Sequence, residues 1–99
     1  MASWAVYMIE TQSETLYTGV STDVARRFAE HASGGKKCAR YLRGKHPLTL
    51  VWHHAGLSKE LALKVEYRIK RLPRAMKDRI VSGQITLFEA FPDLVLTQS

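Results

Sequence analysis

Five side chains in this 99-residue sequence are of the types that phosphoryl chemistry uses: Tyr7, Tyr17, Arg27, His31 and Glu66. Cleaving a phosphodiester requires an activated water, neutralisation of charge on a pentacovalent phosphorus and stabilisation of the leaving oxygen, so different residue types must converge. Arg27 and His31 are four residues apart and would share one helix face, bordering the apolar stripe of Val24 and Phe28. A guanidinium is permanently charged and forks onto two oxygens, which suits a phosphate on which negative charge builds. Arg26 competes by adjacency, but it points about 100° away around the helix, toward solvent or a bound nucleic acid. Tyr7 and Tyr17 fall in two neighbouring strand-forming runs, so their phenols could meet at one edge of a sheet; two ordinary buried tyrosines are the plainer reading. His31 could orient a tyrosine or a water, shuttle a proton, or be a satisfied structural histidine. Glu66 lies beside an apolar helical stripe, where a carboxylate is half buried. It could pair with an arginine such as Arg27, bridge to Lys70 at i+4, or hold a hard cation through one or two oxygens.

The elements that must position these groups follow from residue type and period. Trp4 to Ile9 and Leu16 to Val20 are runs of strand formers separated by the polar Thr11 to Glu14, which predicts an antiparallel hairpin. Thr22 or Asp23 can cap a helix running to about His31 or Ala32, and Ser33-Gly34-Gly35 breaks it. Lys36 to Arg43 is expected to form a short basic helix ending near Gly44, and Leu48 to His53 a third strand after Pro47. Ser58 caps a long helix with Leu61, Val65, Ile69 and Leu72 on one stripe. Pro73 ends that helix and suits the first turn of another, in which Met76 and Ile80 pack inward before Gly83. Gly19 lets the chain approach closely after strand two. His53 and His54 are adjacent on a strand, face opposite sides and stay structural. Gln84 to Ser99 reads as a short extension whose Ile85, Leu87, Phe88, Phe91, Leu94, Val95 and Leu96 serve packing. The expected architecture is α+β: a small three-stranded antiparallel sheet flanked by helices, one domain over 1–99 with its core at about 4–80.

Composition restricts the function classes. Hydrophobic residues at 45% and charged residues at 24% argue against disorder. The single cysteine, Cys38, excludes an internal disulfide and a cysteine-based zinc site, and fits a reducing cytoplasm. No apolar run reaches membrane-spanning length, and the first ten residues lack the pattern of a secretory leader. The net charge of +6 is unevenly spread. All fifteen Lys and Arg lie between Arg26 and Arg79 with only four acids, a local excess of +11, while five acids occupy the flanks. An even surface would mix the signs, so the middle of the chain is a polyanion-binding candidate. Arg26, Lys36, Lys37, Arg40, Arg43 and Lys45 are the candidate phosphate contacts, and Tyr41 among them could stack on a base, line a cleft or sit in the core.

These residues together resemble the GIY-YIG nucleases. Ala5-Val6-Tyr7 stands in the place of the GIY strand and Tyr17-Thr18-Gly19 in the place of YIG. Ser21 to His31 is similar to the family's following helix, with an arginine and a histidine one turn apart, and Glu66 within Ala62 to Lys70 matches its metal-binding glutamate. The likeness spans about Trp4 to Lys77 and is nearest to small stand-alone bacterial members and to the nuclease domains of repair excinucleases and structure-specific endonucleases. It implies a metal-dependent endonuclease acting on DNA, with Mg2+ held by Glu66, Mn2+ as a substitute, and no small-molecule cofactor. It also implies that Tyr7 is the general base. An unperturbed phenol has a pKa of about 10, so that role needs the field of a metal and nearby cations. No base-reading part is present in the sequence, which points to branched, flapped or distorted DNA recognised by shape, and RNA stays open beside DNA. Two departures stand out. The chain has no asparagine to match the one that many members carry after the glutamate, Gln84 being the nearest amide, and Ala5 replaces the first glycine. The rival reading is a non-catalytic nucleic-acid-binding module with the tyrosines as core; retention of all five residues in order argues against it.

The clustered charge makes a prediction by itself. Affinity for DNA should fall by about 10³-fold or more between roughly 50 and 200 mM salt if about six or more phosphates are neutralised. Fluorescence anisotropy across a salt titration measures this, and an affinity indifferent to salt removes the basic segment from the interface.

Overall fold

Five consecutive apolar residues, Ala5 to Ile9, are all buried, and a strand of that kind needs cover on both faces. The computed structural model of the protein, which describes residues 3–96, supplies it by making this strand, β1 (Trp4–Glu10), the centre of a three-stranded antiparallel sheet. Strands β2 (Leu16–Ser21) and β3 (Thr49–Leu57) flank it in the order β2-β1-β3. Side-chain alternation then divides β1 between two cores. Val6 and Met8 enter the larger one, beneath helices α2 (Lys59–Lys70) and α3 (Arg74–Val81), which contribute Leu61, Ala62, Val65, Ile69 and Ile80. Tyr7 and Ile9 enter the smaller one with Cys38 and Leu42, against which Val24 and Phe28 of helix α1 (Val24–Ser33) pack. The expected α+β architecture is the one observed.

The helix ends show why the chain turns where it does. Asp23 accepts the Arg26 N–H at 3.0 Å to start α1, and Gly34, in the left-handed region at φ 70°, ends it by donating to the His31 carbonyl. Ser58 accepts the Leu61 N–H at 3.1 Å, and Pro73 opens α3 without interrupting a backbone ladder. Arg74 ties α3 to the β1–β2 hairpin, donating to the Glu14 carbonyl and pairing with Glu10 at 3.6 Å.

Three expectations need correction. The basic segment from Lys36 to Arg43 is not a helix; only Arg40–Leu42 forms a single 3-10 turn. Lys36, Lys37 and Arg43 would each set a like charge beside Arg40 at helical spacing. The segment's backbone groups are also claimed by side chains: the Lys37 carbonyl accepts from Arg27, the Lys36 carbonyl from Arg43, and the Ala39 N–H donates to His31. Strand β3 runs on to Leu57 because two irregularities let nine residues pair with seven, and Gly56 takes up one of them at φ 82°. Beyond Gln84 the chain forms two short helices, α4 (Leu87–Ala90) and α5 (Pro92–Leu96); Leu87, Leu94 and the Phe91 between the helices are buried in the larger core. That stretch is structural filling rather than an appendage. The packing expected of Val95 and Leu96 lies outside the described side chains, as do residues 97–99.

One glycine is fixed by a close approach. Gly19 stands directly across from Tyr7, and a Cβ there would sit 2.6 Å from Tyr7 Cζ. Gly19→Ala should therefore displace a buried ring, costing about 1–3 kcal/mol and lowering Tm by several degrees. Thermal unfolding by circular dichroism reads it, and an unchanged Tm would mean that the ring yields freely.

Candidate active site

The register that puts Gly19 across from Tyr7 puts Tyr17 across from Ile9, so the two tyrosines are diagonal neighbours on one face. Their ring centroids are 6.4 Å apart. The last turn of α1 lowers His31, fully buried, onto this pair. Its Nε2 is 2.9 Å from the Tyr7 hydroxyl, and its ring meets Tyr17 edge-on at 5.6 Å. Nδ1 accepts the Ala39 N–H at 3.1 Å, which only an unprotonated nitrogen can do, so the imidazole proton is on Nε2 and is donated to the Tyr7 oxygen. Burial, then the charge of Arg27, lowers the His31 pKa and keeps the ring neutral, in agreement with that pattern. His46 Nε2 donates to the His31 carbonyl at 2.7 Å and ties the end of α1 to the following connection.

Tyr7 is held in an unfavourable place for ionisation. Burial above all, with Tyr17 next and Glu66 adding to it, pushes its pKa well up, while the nearby Arg27 guanidinium pulls it down. Arg27 donates through Nη1 to Glu30 Oε1 at 2.9 Å and to the Lys37 carbonyl at 2.6 Å. Arg26, one residue earlier, is exposed. Glu66, on α2, has a side chain 20% exposed and pairs with Lys70 at 3.3 Å. The pairing of Glu66 with Arg27 that the sequence allowed is therefore not formed. Lys70 and Glu30 are the partners.

An open cleft of about 330 Å3 lies along the β2 edge, lined by Tyr17, Thr18, Tyr41, Lys70 and Lys77. Tyr41 is 44% exposed and stacks on Tyr17 at 5.9 Å, while Lys45 Nζ rests 3.4 Å above its ring. A hydrogen bond with Thr15, then Lys45 and Lys77, lowers its pKa. Of the three readings open for Tyr41, the cleft wall is the one observed. Lys36, Lys37, Arg40 and Arg43 are exposed on the connection after α1. Two cleft residues were missed from sequence: Lys70 stood only as a partner for Glu66, and Lys77 was not singled out. Four residues separate Lys70 from Glu66, which was the available signal; Lys77 reaches the cleft only through the turn between α2 and α3. His53 and His54 stand across from Tyr7 and Val6, and His54 stacks on Trp52 at 6.4 Å and meets Phe88 edge-on at 5.7 Å. Gln84 is exposed just beyond α3. Among the described residues no three His, Cys, Asp or Glu side chains gather into a metal cluster, so a cation here would rest on one carboxylate with water and phosphate.

Comparison with known proteins gives the family of the fold. Residues 3–79 match the GIY-YIG catalytic domain family. The chain is 48% identical over 90 residues to a UPF0213 protein of Cronobacter sakazakii, covering 91% of this chain and 92% of that one. It is 45% identical over 95 residues to the UPF0213 protein YhbQ of Salmonella arizonae, covering 96% and 89%. The solution NMR structure of a UPF0213 protein from Bacillus halodurans superimposes with a TM-score of 0.52 at 45% identity, covering 81% of this chain and 83% of that one.

Two histidines resist protonation in this fold, His31 and His54, both through burial first. The unfolded chain takes up those protons near pH 6.5, so below that point it binds more protons than the folded chain, and stability must fall as pH drops. Urea unfolding should show a lower unfolding free energy at about pH 5.5 than at about pH 7.5. His31→Gln and His54→Gln should each remove part of the slope; a slope unchanged in the double variant would assign it to carboxylates.

Proposed function

Because the chain belongs to the GIY-YIG family, whose catalytic domain it carries, we propose that it is a divalent-metal-dependent endonuclease that hydrolyses phosphodiester bonds in DNA. The observation that supports this most is the convergence of Tyr7, Tyr17, His31 and Arg27, with Tyr17 reaching a lysine-lined cleft. In this reading Arg27 binds the scissile phosphate and stabilises the charge that develops on it. Tyr7 is the general base toward the attacking water. His31 presents an N–H to the phenol oxygen and so favours the phenolate by hydrogen bonding, the phenol proton having been released to water before the attacking water is deprotonated. Tyr17 walls the site and carries Tyr41 on its ring.

Glu66 would hold Mg2+, with Mn2+ as a substitute: it is a half-buried carboxylate whose ion-pair partner, Lys70, is exposed and free to turn away. When bound, such a cation supplies Lewis-acid stabilisation of phosphate charge and offsets the burial that raises the Tyr7 pKa. Arg26, Lys36, Lys37, Arg40, Arg43 and Lys45 hold the nucleic-acid backbone, joined by Lys70 and Lys77 in the cleft. A base can stack on the outer face of Tyr41 once Lys45 swings from the ring to a phosphate. The substrate we favour is branched, flapped or distorted DNA in the cytoplasm, with RNA as the competing polyanion. No described helix is long and apolar enough to cross a membrane.

A non-catalytic binding module is favoured by two facts, the deep burial of the Tyr7 phenol and the Glu66–Lys70 ion pair. Mutation separates the readings. Arg27→Ala should cut turnover by on the order of 10²-fold while changing affinity little, because its contact strengthens in the transition state. Neutralising Lys36, Lys37, Arg40 and Arg43 together should weaken binding and flatten the salt slope, with saturating DNA restoring much of the rate. Cleavage should disappear with chelator and in Glu66→Gln. Cleavage assays on linear, flapped and four-way DNA test all three, and a folded protein that binds yet never cleaves would establish the module instead.

A further inference from the structure

Only four acids fall within the segment that holds every Lys and Arg, and one of them, Glu30, lies against the arginine proposed to bind phosphate. A carboxylate there weakens the attraction of the site for a polyanion, so its placement calls for a reason beyond surface charge. Glu30 is three residues from Arg27 on α1, and both side chains are partly buried, at 21% and 30% exposure. Nη1 of Arg27 carries two hydrogens and meets two acceptors, Glu30 Oε1 at 2.9 Å and the Lys37 carbonyl at 2.6 Å. Both Nη1 hydrogens are thereby engaged, so phosphate oxygens would be met by the Nε and Nη2 edge, a planar fork on a guanidinium that also interacts with the Tyr7 hydroxyl. The second Glu30 oxygen reaches Lys37 Nζ at 3.8 Å, so one carboxylate spans the helix and the connection that follows it. With water in place of Glu30, Nη1 would keep only the Lys37 carbonyl, and the guanidinium would turn more freely about its long side chain, at the entropy cost that flexible side chains bring to any ordered contact.

We propose that Glu30 is a positioning residue: it holds Arg27 by Nη1 and presents the Nε and Nη2 fork to the scissile phosphate, giving up some affinity for DNA in return for a fixed clamp. The proposal rests on the nuclease reading for its kinetic consequence but not for its geometry. Misplacing such a group by about an ångström costs up to about 10²-fold in rate.

Single-turnover cleavage and equilibrium binding should be measured on Glu30→Ala and Glu30→Gln, with thermal unfolding confirming that both fold. Glu30→Ala should slow cleavage at saturating DNA by roughly 10-fold to 10²-fold while binding DNA as tightly as wild type or more tightly. Glu30→Gln keeps an oxygen acceptor for Nη1 and should recover most of the rate. In an Arg27→Ala background, Glu30→Ala should have no further effect. Equal rates in all three proteins, or a rate loss matched by lost affinity, would overturn the proposal. NMR relaxation of the Arg27 Nε–H gives a readout that does not need cleavage: its order should drop in Glu30→Ala and persist in Glu30→Gln. Should the wild type cleave no DNA, the nuclease reading fails alone, and unchanged Arg27 order in Glu30→Ala would still refute the role of Glu30.

Discussion

The hydrogen bond from the Ala39 amide to His31 Nδ1 is the constraint on which the upper layer of this fold depends. It fixes the tautomer of a fully buried imidazole, and the tautomer fixes which partner donates at the Tyr7 oxygen. It also draws the connection after α1 across the sheet, where Cys38 and Leu42 close a small core around Tyr7 and Ile9. A buried polar group left without a partner costs about 1–3 kcal/mol, so no described buried side-chain nitrogen or oxygen being unsatisfied means this network is complete. Losing any one member strands the others.

Two opposed electrostatic demands meet at Tyr7. The sheet needs a large apolar ring on its central strand, and burying that ring raises the phenol pKa. The proposed chemistry on a phosphate would need the same oxygen to become anionic. The chain answers with positive and hydrogen-bonding groups aimed at one atom: the Arg27 guanidinium, which lowers the pKa, and the His31 N–H. Glu66 works in the other direction for as long as its charge is balanced only by an exposed lysine. The balance between packing and ionisation is thus set locally, by a few side chains, and burial prevails over Arg27 at Tyr7.

Local periodicity made much of this legible in the sequence. The apolar run of β1, the Asp23 and Ser58 caps, the α2 stripe and the shared face of Arg27 and His31 are all statements about residues within a few positions of each other. Where reading along the chain failed, the deciding contact came from far away or from a neighbour of equal merit. Residue type allowed a helix over Lys36 to Arg43, and it was lost because like charges would meet at helical spacing and because Arg27 and His31 capture backbone groups of that segment. The sequence allowed Arg27 a carboxylate on another helix, Glu66, but its partner is Glu30, three residues along its own helix. Lys77 reached the cleft only through a change of chain direction at Pro73. Of the late apolar residues assigned to packing, Ile85, Leu87, Phe91 and Leu94 do pack while Phe88 is exposed, and that they complete the main core against Leu57, Leu61 and Val65 is a long-range contact that local pattern does not carry.

That late closure bears on how the protein comes into being. The larger core joins Val6 and Met8, near the start of the chain, to Leu87, Phe91 and Leu94, near its end. A ribosome releases the segment holding the tyrosines, Arg27 and His31 long before the residues that seal the floor beneath them. During that interval an apolar surface stays open and the sheet lacks the support that keeps its tyrosines in register. A product that stops before Leu87 therefore exposes the apolar surface that invites proteolysis, and the sheet gains its full cover only once Leu94 has emerged.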